Sequence, residues 1–385
     1  MKRSAGPSQP LAAKEKARYI MVGGFLGAGK TTAIAKLAKW LCDKGLRVAL
    51  ITNDQGTHLV DTAMLASQGF RVEEIPGGCF CCRFNSLVDA AKRLTAESRP
   101  DVFIAEPVGS CTDLIATVSY PLRQMYGANF VISPLSVLVD PIRALRVLGF
   151  EQGGRFSEKV LYIYRKQLEE ADLLVINKRD LLSPGQAASL RHGLALQFPK
   201  AQILEISART GLGLEDWFEH VTAANQAPRA VMDVDYELYA DGEALLGWLN
   251  CTVRLTAARA IDGNQFLQTL AGIIQLRFNG AEAEIAHLKM TLDADNELGD
   301  LAVVNLVRND FVPELSQNLH DNLTSGELTI NMRAEAAPEL LRDAVQDAVE
   351  NCARSTLGLT VTWVHLECFK PGKPKPTHRV GASVA

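Results

Sequence analysis

The octapeptide Gly24-Phe25-Leu26-Gly27-Ala28-Gly29-Lys30-Thr31 matches the pattern G-x-x-x-x-G-K-[ST], and both flanks suit it. An apolar, β-rich run over 19–22 precedes it, and helical apolar spacing begins at Thr31. A strand that feeds a glycine-rich turn and then a helix points to an α/β fold with a mainly parallel, doubly wound sheet, whose ligands sit at the carboxyl ends of strands. The glycines let backbone N–H groups face phosphate without Cβ obstruction, the helix N-terminus adds partial positive charge, and Lys30 adds a mobile full charge. Gly24, Gly27, Ala28, Gly29, Lys30, Thr31 and Thr32 are therefore the candidate nucleotide-phosphate residues, with the Thr31 hydroxyl on Mg²⁺. An incidental glycine-rich turn would not require a strand and a helix on its two sides.

The rest of the first half follows the same plan. Strands are predicted over 19–22, 47–52, 71–75, 102–105, 137–139, 173–176 and 203–206, and helices over 31–44, 87–97 and 185–197. The alternation changes at 226–231, where Pro228 interrupts a helical pattern, so this stretch is the expected linker. It separates a P-loop domain over 18–225 from a second, α+β domain over 232–370. There the order strand 249–255, helix 264–277, strands 288–292, 302–307 and 328–332, helix 338–353 and strand 359–366 predicts a ferredoxin-like sheet with one extra strand. Residues 1–17 read as a basic flexible tail, and residues 371–385, with Pro371, Pro374 and Pro376 among lysines, as a second one.

Composition bounds the partners. Hydrophobic residues at 47% support two packed cores, and 40 basic against 44 acidic side chains give too even a balance to gather nucleic acid or anionic lipid. No run of about 18 apolar residues lacks a charge, so no membrane span is expected and the expectation is a soluble, cytoplasmic protein. Of the eight cysteines, Cys42, Cys111, Cys251, Cys352 and Cys368 are scattered, which is not a disulfide framework.

Asn177-Lys178-Arg179-Asp180 at the end of one predicted strand has the N-K-x-D pattern of a guanine reader. A carboxylate can accept from guanine N1–H and N2–H₂ together, a pairing that adenine cannot offer. Asp180 is thus the expected specificity residue. Asn177 would tie neighbouring loops, the Lys178 stem would cover the base, and Ser207-Ala208 at the end of the next strand would bring an N–H toward guanine O6. Together the pair selects GTP over ATP.

Three further segments stand between these loops. Asn53-Asp54-Gln55-Gly56 and Glu106-Pro107-Val108-Gly109 end predicted strands, which makes Asp54 and Glu106 the expected Mg²⁺ carboxylates and Gly109 N–H a γ-phosphate contact. Lys30, Glu106, Asp54 and Gly109 form the expected catalytic set. Asp61 and Asp140 rank lower, since a helix cap or a solvated turn explains either. Gly77-Gly78-Cys79-Phe80-Cys81-Cys82 puts three thiols in four positions, enough to converge on Zn²⁺, Co²⁺ or Ni²⁺ with a fourth ligand from Cys111 or, more distantly, His58. A thiol-redox pair is the rival reading, but it would leave Cys81 over.

Taken together, these residues resemble the CobW/HypB/UreG class of P-loop GTPases and, within it, the CobW-like proteins. The likeness rests on Gly23 to Thr32, on Cys79-Phe80-Cys81-Cys82, and on Gln167 to Asp172 leading into Asn177-Lys178-Arg179-Asp180; it covers about 19–224. It implies slow GTP hydrolysis used to load or release a metal on a client metalloprotein or cofactor enzyme, and a nucleotide-dependent homodimer. Two departures stand out: Glu106-Pro107-Val108-Gly109 replaces the family's Glu-x-Thr-Gly, and no histidine-rich stretch is present among seven histidines. Arg83 beside the thiols reads as a solvated surface arginine. Two rival functions remain, a GTPase escort for a cobalamin- or corrinoid-dependent enzyme and a GTP-regulated interaction module.

Overall fold

The computed structural model describes residues 16–54, 60–154, 156–296 and 299–381. Gln55, Gly56 and His58, weighed above, lie outside the described residues.

In chain order the first unit runs β1 (Ala17–Gly24), α1 (Lys30–Asp43), β2 (Val48–Asn53), α2 (Val60–Ser67), β3 (Val72–Ile75), α3 (Phe84–Ser98) and β4 (Val102–Glu106). A π-helical turn (Ile115–Ser119) then leads into α4 (Tyr120–Tyr126), β5 (Phe130–Ile132), β6 (Ser136–Val139), α5 (Pro141–Val147), α6 (Glu158–Glu169) and β7 (Leu173–Ile176). A 3₁₀ turn (Arg179–Leu181), α7 (Pro184–Gln197), β8 (Gln202–Glu205) and α8 (Leu214–Ala223) complete it. The strands pair in parallel in the order β3-β2-β4-β1-β6-β7-β8, with β5 beside the start of β1. Successive residues of β1 bury to opposite sides: Tyr19 and Met21 join one apolar cluster, Ile20 and Val22 the other. Both faces are therefore covered by helices, which is what a parallel sheet requires and why its strands read as continuous apolar runs.

Past an irregular stretch come α9 (Tyr236–Leu245), β9 (Leu246–Ile261), α10 (Gly263–Gly280), β10 (Glu284–Ala294), β11 (Leu301–Leu306), β12 (Glu314–Gln317), β13 (Leu323–Glu335), α11 (Pro338–Ser355) and β14 (Leu359–Phe369). The second sheet is antiparallel in the order β12-β11-β10-β13-β9-β14. The run β14-β9-β13-β10 is the ferredoxin-like core, and β11 with β12 forms a hairpin added at its edge. Helix α9 leans on α6 of the first unit, where Tyr239 and Ile163 share a small apolar cluster.

Strand β9 spans sixteen residues where seven were expected. Its far end is held by Ala257 pairing with Leu359 of β14 and Ile261 pairing with Leu323 of β13, which carry the strand across the weak strand formers Ala258-Arg259-Ala260. The expected flexibility of 371–385 is corrected over its first part. Thr377 N donates to Cys81 O at 2.8 Å, Val380 N donates to Ala116 O at 2.9 Å, and Val380 is buried. The prolines hold the segment extended, which leaves its N–H groups free to pair with the loops they cross.

Candidate nucleotide and thiol site

The loop after β1 turns on glycine. Gly24, Gly27 and Gly29 have φ of +127°, +79° and +86°, and a Cβ on Gly29 would stand 2.5 Å from Asn177 Nδ2. Helix α1 then opens at Lys30, so its first N–H groups face the loop's cavity. Lys30 Nζ lies 3.9 Å from Glu106 Oε1, and Thr31 Oγ1 lies 3.0 Å from the same oxygen and 2.6 Å from Asp61 Oδ1. Burial and the Asp61 carboxylate push Glu106 up to about 7, against the pull of Lys30 and Lys289. Glu106 Oε2 is buried without a hydrogen-bond partner among the described residues. An orphaned carboxylate oxygen beside a hydroxyl and a second carboxylate is a hard-oxygen donor set that suits Mg²⁺.

Asp54 is placed differently from expectation: its carboxylate takes Arg333 Nη2 at 3.0 and 3.2 Å, while the lower-ranked Asp61 stands at Thr31. Arg333 is fully buried and stacks over Trp248 at 3.9 Å, so it is held where it meets the end of β2. Lys289 of β10 reaches the same place, bonding Asp61 and lying 3.4 Å from Thr31 Oγ1. Neither Lys289 nor Arg333 was found from sequence. The one available signal was a lone charge within an apolar strand pattern, which ordinarily marks a solvated face.

The loop over 177–180 is tied to its neighbours by side-chain hydrogen bonds. Asn177 Nδ2 donates to Ala28 O at 2.9 Å, and its Oδ1 accepts Ala208 N–H at 3.0 Å, tying three strand-end loops together. Lys178, in the left-handed region at φ +54°, donates to Gly27 O at 2.7 Å and to Asp140 Oδ2 at 2.8 Å. Asp180 Oδ1 accepts Ser207 Oγ at 2.5 Å. Gly29, Thr32, Asn177, Lys178, Asp180 and Ala208 line one cavity.

The thiols converge. Cys79 Sγ is 2.8 Å from Cys81 Sγ and 3.2 Å from Cys82 Sγ, and Cys81 and Cys82 are 3.8 Å apart. Hydrogen bonds from the Cys111, Cys81 and Cys82 thiols hold Cys79 well below the usual thiol range, so it ionises first. Its hydrogen bond with Cys79 pushes Cys82 up to about 11. Three soft donors within one ion's reach, with a fourth thiol against them, suit Zn²⁺ and neighbouring divalent ions. Lys375 N donates to Cys82 Sγ at 3.2 Å, and Thr377 Oγ1 to Cys82 O at 3.0 Å.

Short bridges join the two sites. Gly109 packs against Leu26 of the phosphate loop, where a Cβ would meet Leu26 Cδ2 at 2.7 Å. Gln167 Nε2 donates to both Gly109 O and Cys111 O, at 2.9 and 2.8 Å. Asn53 Nδ2, at the end of β2, donates to Gly78 O next to the first thiol at 2.6 Å.

Residues 18–205 match the CobW/HypB/UreG nucleotide-binding domain. Over this segment, just under half of the chain, the protein is similar to the CobW/HypB/UreG P-loop GTPases. The chain is 29% identical over 181 residues to the Escherichia coli protein named zinc chaperone YeiR, a match covering 45% of this chain and 50% of that one. It is 31% identical over 192 residues to a Sinorhizobium protein named zinc chaperone CobW, covering 44% and 53%. The match thus spans about half the length of these curated relatives. Among solved structures, nickel-complexed HypB from Helicobacter pylori aligns with a TM-score of 0.39 at 20% identity, over 55% of this chain and 91% of that one. Among the described residues no helix is long and apolar enough to cross a membrane.

Proposed function

We propose that the protein binds and hydrolyses GTP and uses the nucleotide state to set how its thiols hold a transition metal, which it delivers to a client metalloprotein. The observation that carries this reading is the pair of hydrogen bonds that Gln167 Nε2 donates to the Gly109 and Cys111 carbonyls, which links the expected γ-phosphate contact to the thiol cluster through one side chain. Asp180 reads guanine, the Ala28 and Gly29 amides with Lys30 grip phosphate, and Asn177 and Lys178 fix the base loop against the phosphate loop. Thr31, Glu106 and Asp61 hold Mg²⁺, which supplies neutralisation of phosphate charge when bound. Glu106 orients the attacking water. The zinc chaperones among the relatives make Zn²⁺ the first metal to test as cargo.

The test is titration of the reduced protein with Zn²⁺ against a chromophoric chelator, with GDP and with a non-hydrolysable GTP analogue. Coupled sites of this kind differ by about 5- to 150-fold in affinity between states. The expected result is a difference of at least about fivefold that vanishes when Cys79, Cys81 and Cys82 are replaced by alanine. Equal Zn²⁺ affinity in both nucleotide states would end the coupling reading and leave a plain GTPase.

A further inference from the structure

The cavity that holds the base-loop residues is not walled by the first unit alone. Its opposite side is built by Asn305, Val307, Phe311 and Glu314, which belong to β11, β12 and the turn between them. This hairpin is the addition to the ferredoxin-like core, so the part of the second domain that its own fold does not require is the part that meets the base loop.

Four contacts hold it there. Arg209, next to Ala208, pairs with Glu314 and lies 4.0 Å from Asp180. Arg308 Nη1 takes Asp140 Oδ1 at 3.3 Å, on the same carboxylate that anchors Lys178. Arg143 bridges the units by donating to Leu26 O at 2.6 Å and Val307 O at 2.7 Å. A Cβ on Gly27 would lie 3.1 Å from Val307 Cβ, so the phosphate loop closely approaches the residue that follows β11.

We infer that the β11–β12 hairpin is the second wall of the nucleoside site, with Phe311 as the aromatic face set against the nucleoside and Asn305 as the polar group at its rim. The inference rests on the guanine-nucleotide reading and extends it to the second domain. A purine is flat and apolar on both faces and polar at its edge. The Lys178 stem and Asp180 serve one face and the edge, and an aromatic ring is the natural cover for what remains. Phe311 is half-buried, with its carbonyl held by Gln275 Nε2 and the Arg308 guanidinium 5.2 Å from its ring, so it is already fixed in place. The Asn305 amide nitrogen is committed to Ser316 Oγ at 2.9 Å, which leaves its carbonyl oxygen as the acceptor at the cavity. Nucleotide on this reading binds between the domains, and pockets commonly form at such interfaces.

The full-length protein is taken through two measurements. Hydrogen exchange with and without Mg²⁺·GDP should show slower exchange over residues 301–317 when GDP is present. Titration with a fluorescent GDP analogue should show Phe311→Ala weakening affinity about tenfold, the size of losing one aromatic–base stack. Phe311→Leu, which keeps apolar bulk, guards against a folding defect and should fall between the two. If wild type binds GDP, and Asp180→Asn weakens that binding, while exchange over 301–317 and both Phe311 variants stay unchanged, the hairpin wall is overturned and the guanine reading survives. If wild type binds neither GDP nor GTP, both fall together.

Discussion

At Asp180 the structure makes the chemistry of one carboxylate measurable. Its Oδ1 accepts Ser207 Oγ, which fixes the rotamer, and its Oδ2 lies 4.0 Å from Arg209 Nη1. Asp180→Asn keeps the shape and removes one acceptor and the charge, so guanine binding should weaken by about 1.5–3 kcal/mol, roughly 10- to 150-fold. Calorimetric titration with GDP reads this directly, and unchanged affinity would sink the base assignment. Gly29 tests the other end of the same loop. Its φ of +86° and the 2.5 Å approach to Asn177 Nδ2 leave no room for a methyl group. Gly29→Ala should displace Asn177 from Ala28 O and cost at least about 1 kcal/mol in backbone strain alone, seen as a lower thermal midpoint. These positions were legible in the sequence because each lies in a contiguous motif whose spacing encodes its geometry. Asp61 outranking Asp54 at Thr31 was not legible: both follow β2, and the choice is made by Arg333, which draws Asp54 aside from nearly three hundred residues away.

Asp140 is the point where several elements meet, and it sets a prediction at their scale. It caps α5 by accepting Arg143 N–H at 3.0 Å, anchors Lys178 at the end of β7, and receives Arg308 from the turn after β11. Burial raises its pKa, but Lys178, Arg308 and Arg143 outweigh that and hold it well below 3.8. A depressed carboxylate contributes stability that is present above its unfolded value and lost as pH falls through the folded one. Asp140→Asn leaves buried cations uncompensated and should cost about 3–5 kcal/mol at pH 7. Denaturant unfolding followed against pH should show a constant gap between wild type and variant from near neutrality down to about pH 5, closing only below 3.8. A gap that narrows near pH 6 would mean that another group carries the effect. Element legibility did not simply follow length. The four-residue strands β6, β7 and β8 were readable as apolar runs and α1 and α3 from their apolar spacing, whereas twelve-residue α6 was not among the expected helices, and seven-residue α5 and three-residue β5 are too short to carry a period.

The change of alternation near 226–231 set the expected linker, but the meeting of the two sheets beside the phosphate loop could not be read from it. The joining pairs, Lys289 with Asp61, Arg333 with Asp54 and Arg308 with Asp140, are separated by more than 160 residues and follow no local pattern. The chain also returns from the last strand of the second sheet to the first unit. Beyond β14 it lays Lys375 N on Cys82 Sγ and Thr377 on the backbone of Cys81 and Cys82, and Arg379 Nε holds Asp113 at 2.7 Å. An N–H donor to a metal-binding sulfur steadies the thiolate and its orientation, and removal of such outer partners typically costs about 10- to 100-fold in metal affinity. Ending the chain after Lys370 removes these donors and leaves the phosphate and base loops untouched. Chelator competition on the truncated protein should therefore show Zn²⁺ held about 10- to 100-fold more weakly, with GDP affinity as in wild type. Equal loss of both would mean that the segment stabilises the fold as a whole, and loss of neither would mean that the thiols hold the ion without its help.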